Sequence, residues 1–395
     1  MRRSSLILSA LLTFTACADD APSQDDDAGG STTSGTTSED PSTTAGPGAT
    51  TDGESTATSA DGTTTSGGSS SEGESTAAET EADTEDPGAV TVPLPGRMLF
   101  PEGIAADEAG TLYVGSITSS TVLRVDPPYA ESDVSEFSQG QLTRGSVGVF
   151  VDDAQGVLLV CDSNPGEPVA SSLVALDLDT GMRVAEHVLV PAAEGNPVLC
   201  NDGVVAADGH AYFSDSFGAR VMRVASDDLL TDGVDAEVFL EGPQLGAPGD
   251  PPFGANGVTE LDGELYVVNF NQGTLLRIPR DTDGNALDIV PIALEDESGS
   301  AVTLVGPDGL DASSAGTLVV VENGIFGGGA GNRLVEIELD GDTGVVHEVA
   351  SDLDIPTTAA EADGRQWVVE GQLDHLFGLD EAPPSPFQLV GVPWG

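Results

Sequence analysis

The chain has 395 residues with 67 acidic and 12 basic side chains, a formal net charge of −55, and no lysine. Such a charge balance repels nucleic acid and anionic lipid headgroups, and the missing lysine excludes Schiff-base chemistry and a P-loop phosphate site. Fifty Gly and 25 Pro are spread along the chain and no long segment has 3.6-residue apolar periodicity, which argues against a helical architecture.

Residues 1–17 read MRRSSLILSALLTFTAC, with Arg2 and Arg3 ahead of an apolar run and small residues at its end. The form is that of a secretory signal, too short for a confident membrane span. Its ending, FTAC, resembles a bacterial lipobox and would make Cys17 a lipidated first residue; a plain secretory signal is the alternative. Both readings place the folded part outside the cytoplasm, either as a cell-envelope lipoprotein touching the membrane only through its lipid anchor or as a secreted protein.

Residues 18–89 are almost wholly Ser, Thr, Gly, Ala, Asp and Glu, with 17 acidic residues, no basic one and no aromatic. A segment of this composition cannot bury enough apolar surface to offset its ordering entropy, so it is expected to be a disordered acidic linker.

Residues 90–395 keep 50 acidic and 10 basic residues, a net of −40, and they repeat. The first unit, PEGIAADEAGTLYVGSITSSTVLRVD from Pro101, is an apolar stretch, an acidic-Gly turn, a Leu-Tyr-Val strand, a polar turn and another strand. Comparable units begin near Val147, Asn201, Ala255, Pro307 and Pro356. Their second strands start at Leu112, Leu158, Ala211, Leu265, Leu318 and Gln366, spacings of 46 to 54 residues. That is the period of a four-stranded blade, and the expected fold is an all-β six-bladed β-propeller over residues 90–395. The two chain ends, 91–95 and 387–393, are expected to close the ring in one mixed blade, with the outer strand unassigned.

Aligned on the second strand, each repeat places one position at the start of the innermost strand: Glu102, about Gly148, Asp202, Asn256, Asp308 and about Thr357. Four of these are acidic or amide residues followed by Gly, at a place where inner strands crowd round a central channel. An isolated Asp-Gly or Asn-Gly is usually a turn, and Asp208-Gly209, Asp262-Gly263 and Asp363-Gly364 read as hairpin turns. The shared phase of the slot residues points instead to a common site at one mouth of the channel. Converging carboxylates repel one another unless a cation sits between them, and oxygen-only donors favour Ca²⁺ first, then Mg²⁺ or Mn²⁺, with Zn²⁺ less natural.

On the PEG, NDG, ANG and PDGL elements the chain resembles the gluconolactonase, senescence marker protein and luciferin-regenerating-enzyme-like family of six-bladed propellers. The resemblance implies metal ligands Glu102, Asn256 and Asp308, a substrate-contacting Asn201, and Asp308 or Asp202 as the base that activates water. It implies a lactone or ester substrate, with the cation polarising the carbonyl. Sugar-lactone members carry an Arg two residues before that Asn, and here the position is Leu199, which suits a less polar substrate.

Four His residues, His187, His210, His347 and His375, fall outside the slots and are expected at the surface or in strands. No Gly-x-Ser-x-Gly elbow supports a serine triad. Alternation places Cys161 and Cys200 on the mouth face of adjacent blades, as a disulfide or as two buried thiols. Asp215, Asn269, Glu322 and Glu370 end second strands on the same face, either supporting the site or simply starting loops. Two functions fit: a monomeric divalent-metal-dependent lactone or ester hydrolase, or a non-catalytic cell-surface propeller that binds a protein, glycan or ligand around a structural calcium ion.

Overall fold

A computed structural model describes residues 88–327 and 330–395; the signal segment, Cys17 and the linker up to residue 87 lie outside the described residues. From Pro101 onward the chain forms successive antiparallel meanders whose inner strands are Pro101–Ala106, Ser146–Asp152, Cys200–Val205, Ala255–Leu261, Pro307–Ala312 and Pro356–Ala362. Each inner strand pairs with the next strand in sequence, giving six separate sheets, the six blades of a propeller. Blade 5 carries a fifth strand, Ala293–Asp296, running parallel to Thr343–Ala350 at its outer edge.

Ring closure is settled by the pairing of the two chain ends. The N-terminal strand Val90–Pro93 is the outermost strand of blade 6 and pairs antiparallel with the C-terminal strand Gln388–Pro393, from Val90 opposite Gly391 to Pro93 opposite Gln388. Arg365, on the second strand of that blade, donates from Nη1 to the carbonyls of Gly88 and Gly391, both at 2.9 Å, and so ties the ends together.

The strand pattern explains the core. In a propeller both faces of a blade are covered, so second strands read as continuous apolar runs; Val157–Asp162 is buried at all six positions. Successive side chains nevertheless serve different interfaces, because strand side chains alternate between faces. Leu112 and Val114 enter the cluster shared with blade 6, whereas Tyr113 enters the one shared with blade 2. The same division at each blade gives six apolar clusters, one per interface around the ring. Cys161 and Cys200 are joined in a disulfide across the interface of blades 2 and 3, with Cα atoms 5.1 Å apart.

The residues that end the second strands hold loops. Asp162 accepts from the Arg144 N–H at 2.7 Å, Asp215 from Leu199 N at 2.9 Å, Glu322 from Val305 N at 2.6 Å and Glu370 from Asp354 N at 3.0 Å. Asn269 does the same in the opposite sense, donating to Gln244 O at 2.8 Å. Arg144, Arg220 and Arg333 neutralise three of these carboxylates, the Arg220–Asp215 pair being fully buried at 2.7 Å. In blades 2, 3, 5 and 6 these carboxylates therefore hold the chain one or two residues before the inner strand begins.

Candidate metal centre and pocket

Every inner strand breaks register with its neighbour at the same place. Pro101 pairs with Ser116 but Ile104 with Val114, so Glu102 and Gly103 together face one residue, Gly115. The equivalent two-against-one bulges are Val147-Gly148, Asn201-Asp202, Asn256-Gly257, Asp308-Gly309 and Thr357-Thr358. A bulge leaves its extra residue unpaired and re-aims the side chain, which is how a strand otherwise committed to packing presents polar groups to the channel.

The register corrects two expected slots. The first bulge residue is Val147 rather than Gly148 in blade 2, and Asn201 rather than Asp202 in blade 3. In blades 1, 2, 4 and 5 Gly is the second bulge residue, where a Cβ would strike the next blade's backbone. In blade 3 that second place is taken by Asp202, and Gly203 lies one residue further, tight against Phe213 and Phe150. A one-residue slip turns a side chain to the other side of its strand.

Glu102, Asn201, Asn256 and Asp308 accordingly line one pocket at the channel mouth, and each is buried. Asp308 is held from two sides: the Asn256 amide donates to Oδ1 at 2.7 Å and the Asn323 amide to Oδ2 at 2.9 Å. The Asn201 amide donates to Ser216 Oγ at 3.0 Å, and that hydroxyl donates to Ala255 O at 2.6 Å. Thr357 donates its hydroxyl proton to the Glu102 carbonyl at 2.7 Å. Among the described residues that line this pocket, two buried side-chain oxygens have no partner, Glu102 Oε2 and Asn201 Oδ1. Buried acceptors are seldom left unmet, so their pairing in one pocket marks a place for a positive or hydrogen-donating group.

The electrostatics agree. Burial pushes the Glu102 carboxyl well above the usual carboxylate range, and the charges of Asp308 and Asp202 push it further. Burial raises Asp308 to about 7 against the opposing pull of its two amide donors. Two carboxylates and two carboxamide oxygens in a low-dielectric pocket fit a hard divalent cation, which would replace this repulsion with attraction. Asp202 is raised as well, by its burial first, yet its carboxylate accepts from Gly203 N at 2.9 Å and it lines a separate cavity with Asp311.

The walls above the polar floor are apolar. Ile117, Leu199, Phe253, Phe270, Phe326 and Phe377 line the pocket. Leu199 packs with Phe253 and Phe270. The rings form a chain, Phe217 to Phe253 at 5.3 Å, Phe253 to Phe270 at 5.9 Å, Phe270 to Phe326 at 6.1 Å and Phe326 to Phe377 at 6.3 Å between centroids. The sequence reading missed this arc and missed Asn323; the available signal was Phe recurring in otherwise small, polar loops beside the second-strand ends. None of the four His residues reaches the pocket. His187 is wholly buried in a strand of blade 2, bonded to the Val234 and Leu229 carbonyls.

The molecule is thus a six-bladed propeller with a buried oxygen-donor cluster at one mouth of its channel. No protein-family model matches the sequence, and no curated protein matches it. Solved structures share the fold. A luciferin-regenerating enzyme is similar at 14% identity with a TM-score of 0.52, over 78% of this chain and 95% of that one. A gluconolactonase from Xanthomonas campestris is 19% identical with a TM-score of 0.50, over 77% and 90%. A virginiamycin B lyase from Staphylococcus aureus is 11% identical with a TM-score of 0.50, over 78% and 99%. The likeness is one of fold, a six-bladed propeller that a luciferin-regenerating enzyme, a gluconolactonase and a lyase share.

Proposed function

We propose that the protein is a divalent-metal-dependent hydrolase of a lactone or ester, acting outside the cytoplasm at the pocket floored by Glu102, Asn201, Asn256 and Asp308. The observation that carries this reading is the pair of unpartnered buried oxygens, Glu102 Oε2 and Asn201 Oδ1, beside the twice-bonded Asp308. Glu102, Asn256 and Asp308 would hold the cation, Ca²⁺ being the best match to oxygen donors, and the free Asn201 oxygen faces the same pocket and meets either the ion or the substrate. When bound, such a cation supplies Lewis-acid polarisation of a carbonyl oxygen.

The chain's own groups supply the rest. Asn256 and Asn323 hold the Asp308 carboxylate in one orientation, so its remaining lone pairs are directed before substrate arrives. Water attacks the carbonyl carbon, and Asp308 accepts the proton that the water releases. The acyl C–O bond breaks, the departing alkoxide takes the proton back, and a hydroxy acid or an acid plus alcohol results. Asp202 is the less suitable base, because its side chain lines the other cavity. The apolar walls exclude bulk water from the floor and leave the carbonyl as the substrate's polar end.

The burial of the floor residues, with Glu102 5% and Asp308 4% exposed, also favours a second reading, a binding propeller with a purely structural cation. A hydrolysis screen of lactones and aryl esters with added Ca²⁺, Mn²⁺ or Zn²⁺, run on wild type and Asp308→Ala, separates the two. Metal-dependent turnover that Asp308→Ala loses is the expected result. Turnover retained by that variant would overturn the assigned site, and tight cation binding without any turnover would establish the second reading.

A further inference from the structure

We infer that the phenylalanine arc is a specificity site for an apolar substituent, so that the substrate is a neutral lactone or ester carrying an alkyl or aryl group. The inference rests on the hydrolase reading only for the reacting group; the apolar site is argued from the walls.

The pocket divides sharply by chemistry. Among the described residues its polar side chains are Glu102, Asn201, Asn256, Asp308 and Asn323, all at the floor, and no Arg, His, Ser, Thr or Tyr lines it. An anionic substrate group would find no protein cation there, and a polyhydroxylated ring would leave its hydroxyls unpaired against rings and aliphatic groups. Leaving several polar groups without partners costs far more than a methylene contributes, so the walls reject sugars strongly. They accept hydrocarbon, whose burial is favourable in proportion to area.

The arc is also one-sided. Phe217, Phe253, Phe270, Phe326 and Phe377 come from the mouth loops of blades 3 to 6, whereas blades 1 and 2 contribute the smaller Ile117, Val147 and Pro165. A carbonyl held over Glu102 and Asp308 therefore points its substituent toward blades 3 to 6. Phe217, Phe326 and Phe377 stay partly exposed at the rim, as an apolar pocket open to a ligand requires. Leu199 packs with Phe253 and Phe270 and so continues the apolar wall on the blade 3 side.

The test uses metal-loaded full-length protein and γ-lactones whose alkyl chain lengthens from methyl to octyl, beside glucono-δ-lactone. The matching γ-lactams, inert to this hydrolysis, report binding by calorimetry without turnover. Each added methylene is expected to tighten lactam binding about threefold until the pocket is filled, and to raise lactone kcat/KM in parallel. Phe326→Ala and Phe377→Ala should flatten that dependence, while Phe326→Leu keeps most of it; Ca²⁺ affinity, read separately, reports whether the floor is intact. Chain-length dependence in the lactams without lactone hydrolysis would sustain the apolar site and remove the hydrolase reading. Lactones hydrolysed with no chain-length dependence, or glucono-δ-lactone preferred to the alkyl lactones, would overturn the inference while leaving the hydrolase reading in place.

Discussion

The two mouths of the channel are both acidic, yet they are furnished differently. At one, Glu102 and Asn201 have buried oxygens without partners, Asp308 is clamped by two amides, and apolar walls rise above them. At the other, Asp202 accepts from Gly203 N, Asp311 accepts from Ala312 N at 2.8 Å, and Glu361 accepts from Ser314 N at 2.8 Å. Burial raises the carboxyls at both, Asp311 to about 6. A crowd of carboxylates is therefore a poor criterion in a chain with this charge. Unmet donors or acceptors, oriented by neighbours and shielded from water, discriminate better.

The largest effect is expected at the floor. Glu102→Gln removes one of its two charges at nearly constant shape and should weaken Ca²⁺ binding by roughly 10²–10³-fold, because calcium affinity follows ligand charge. Calorimetric titration reads this directly, and an unchanged affinity would remove Glu102 from the ligand set. Next in size, Asn323→Ala deletes the amide that orients Asp308 and should cost roughly 10–100-fold in cation affinity or turnover.

The pH dependence of stability tests both mouths at once. Glu102, Asp202, Asp308 and Asp311 all have folded-state pKa values raised above the unfolded value of about 4. Between about pH 4 and pH 7 the folded chain holds more protons than the unfolded one, so cation-free stability is highest at the acid end and falls as pH rises through that window. Thermal melts in chelator at pH 4.5, 6 and 7.5, with salt added to screen surface repulsion, should show a falling midpoint. Saturating Ca²⁺ should restore the midpoint at pH 7.5, since a ligand held only by the folded state stabilises it. A midpoint that climbs with pH in chelator would contradict the burial of these carboxyls. The smallest effect is expected from Asp202→Asn at the other mouth, which should leave Ca²⁺ affinity within about threefold; a larger loss would merge the two mouths into one site.

Much of this was legible before folding. The period of 46 to 54 residues and the alternation of Leu112, Tyr113 and Val114 specify stacked four-stranded blades, because each residue of a second strand must face one neighbour or the other. Glu102, Asn256 and Asp308 were readable as one set because each precedes a glycine at the same phase, and the structure does bring them into one pocket. Blade 3 was misread by one residue, since Asp202 occupies the place that glycine holds in four other blades.

Local sequence by itself determined the strands, the turns and the repeated placement of oxygen donors, all consequences of alternation and backbone preference over a few residues. Asn256 illustrates the limit: its Asn-Gly dipeptide is not a turn, whereas Asp262-Gly263, with φ of 53° and 81°, is one. Only the tertiary structure decided that Asn201 stands in the slot, that Asn323 holds Asp308, and that Phe217 and Phe377, 160 positions apart, belong to one apolar arc. The physical reason is ring closure: it brings six widely separated loops to one mouth, and a bulge in each inner strand selects which side chain meets there.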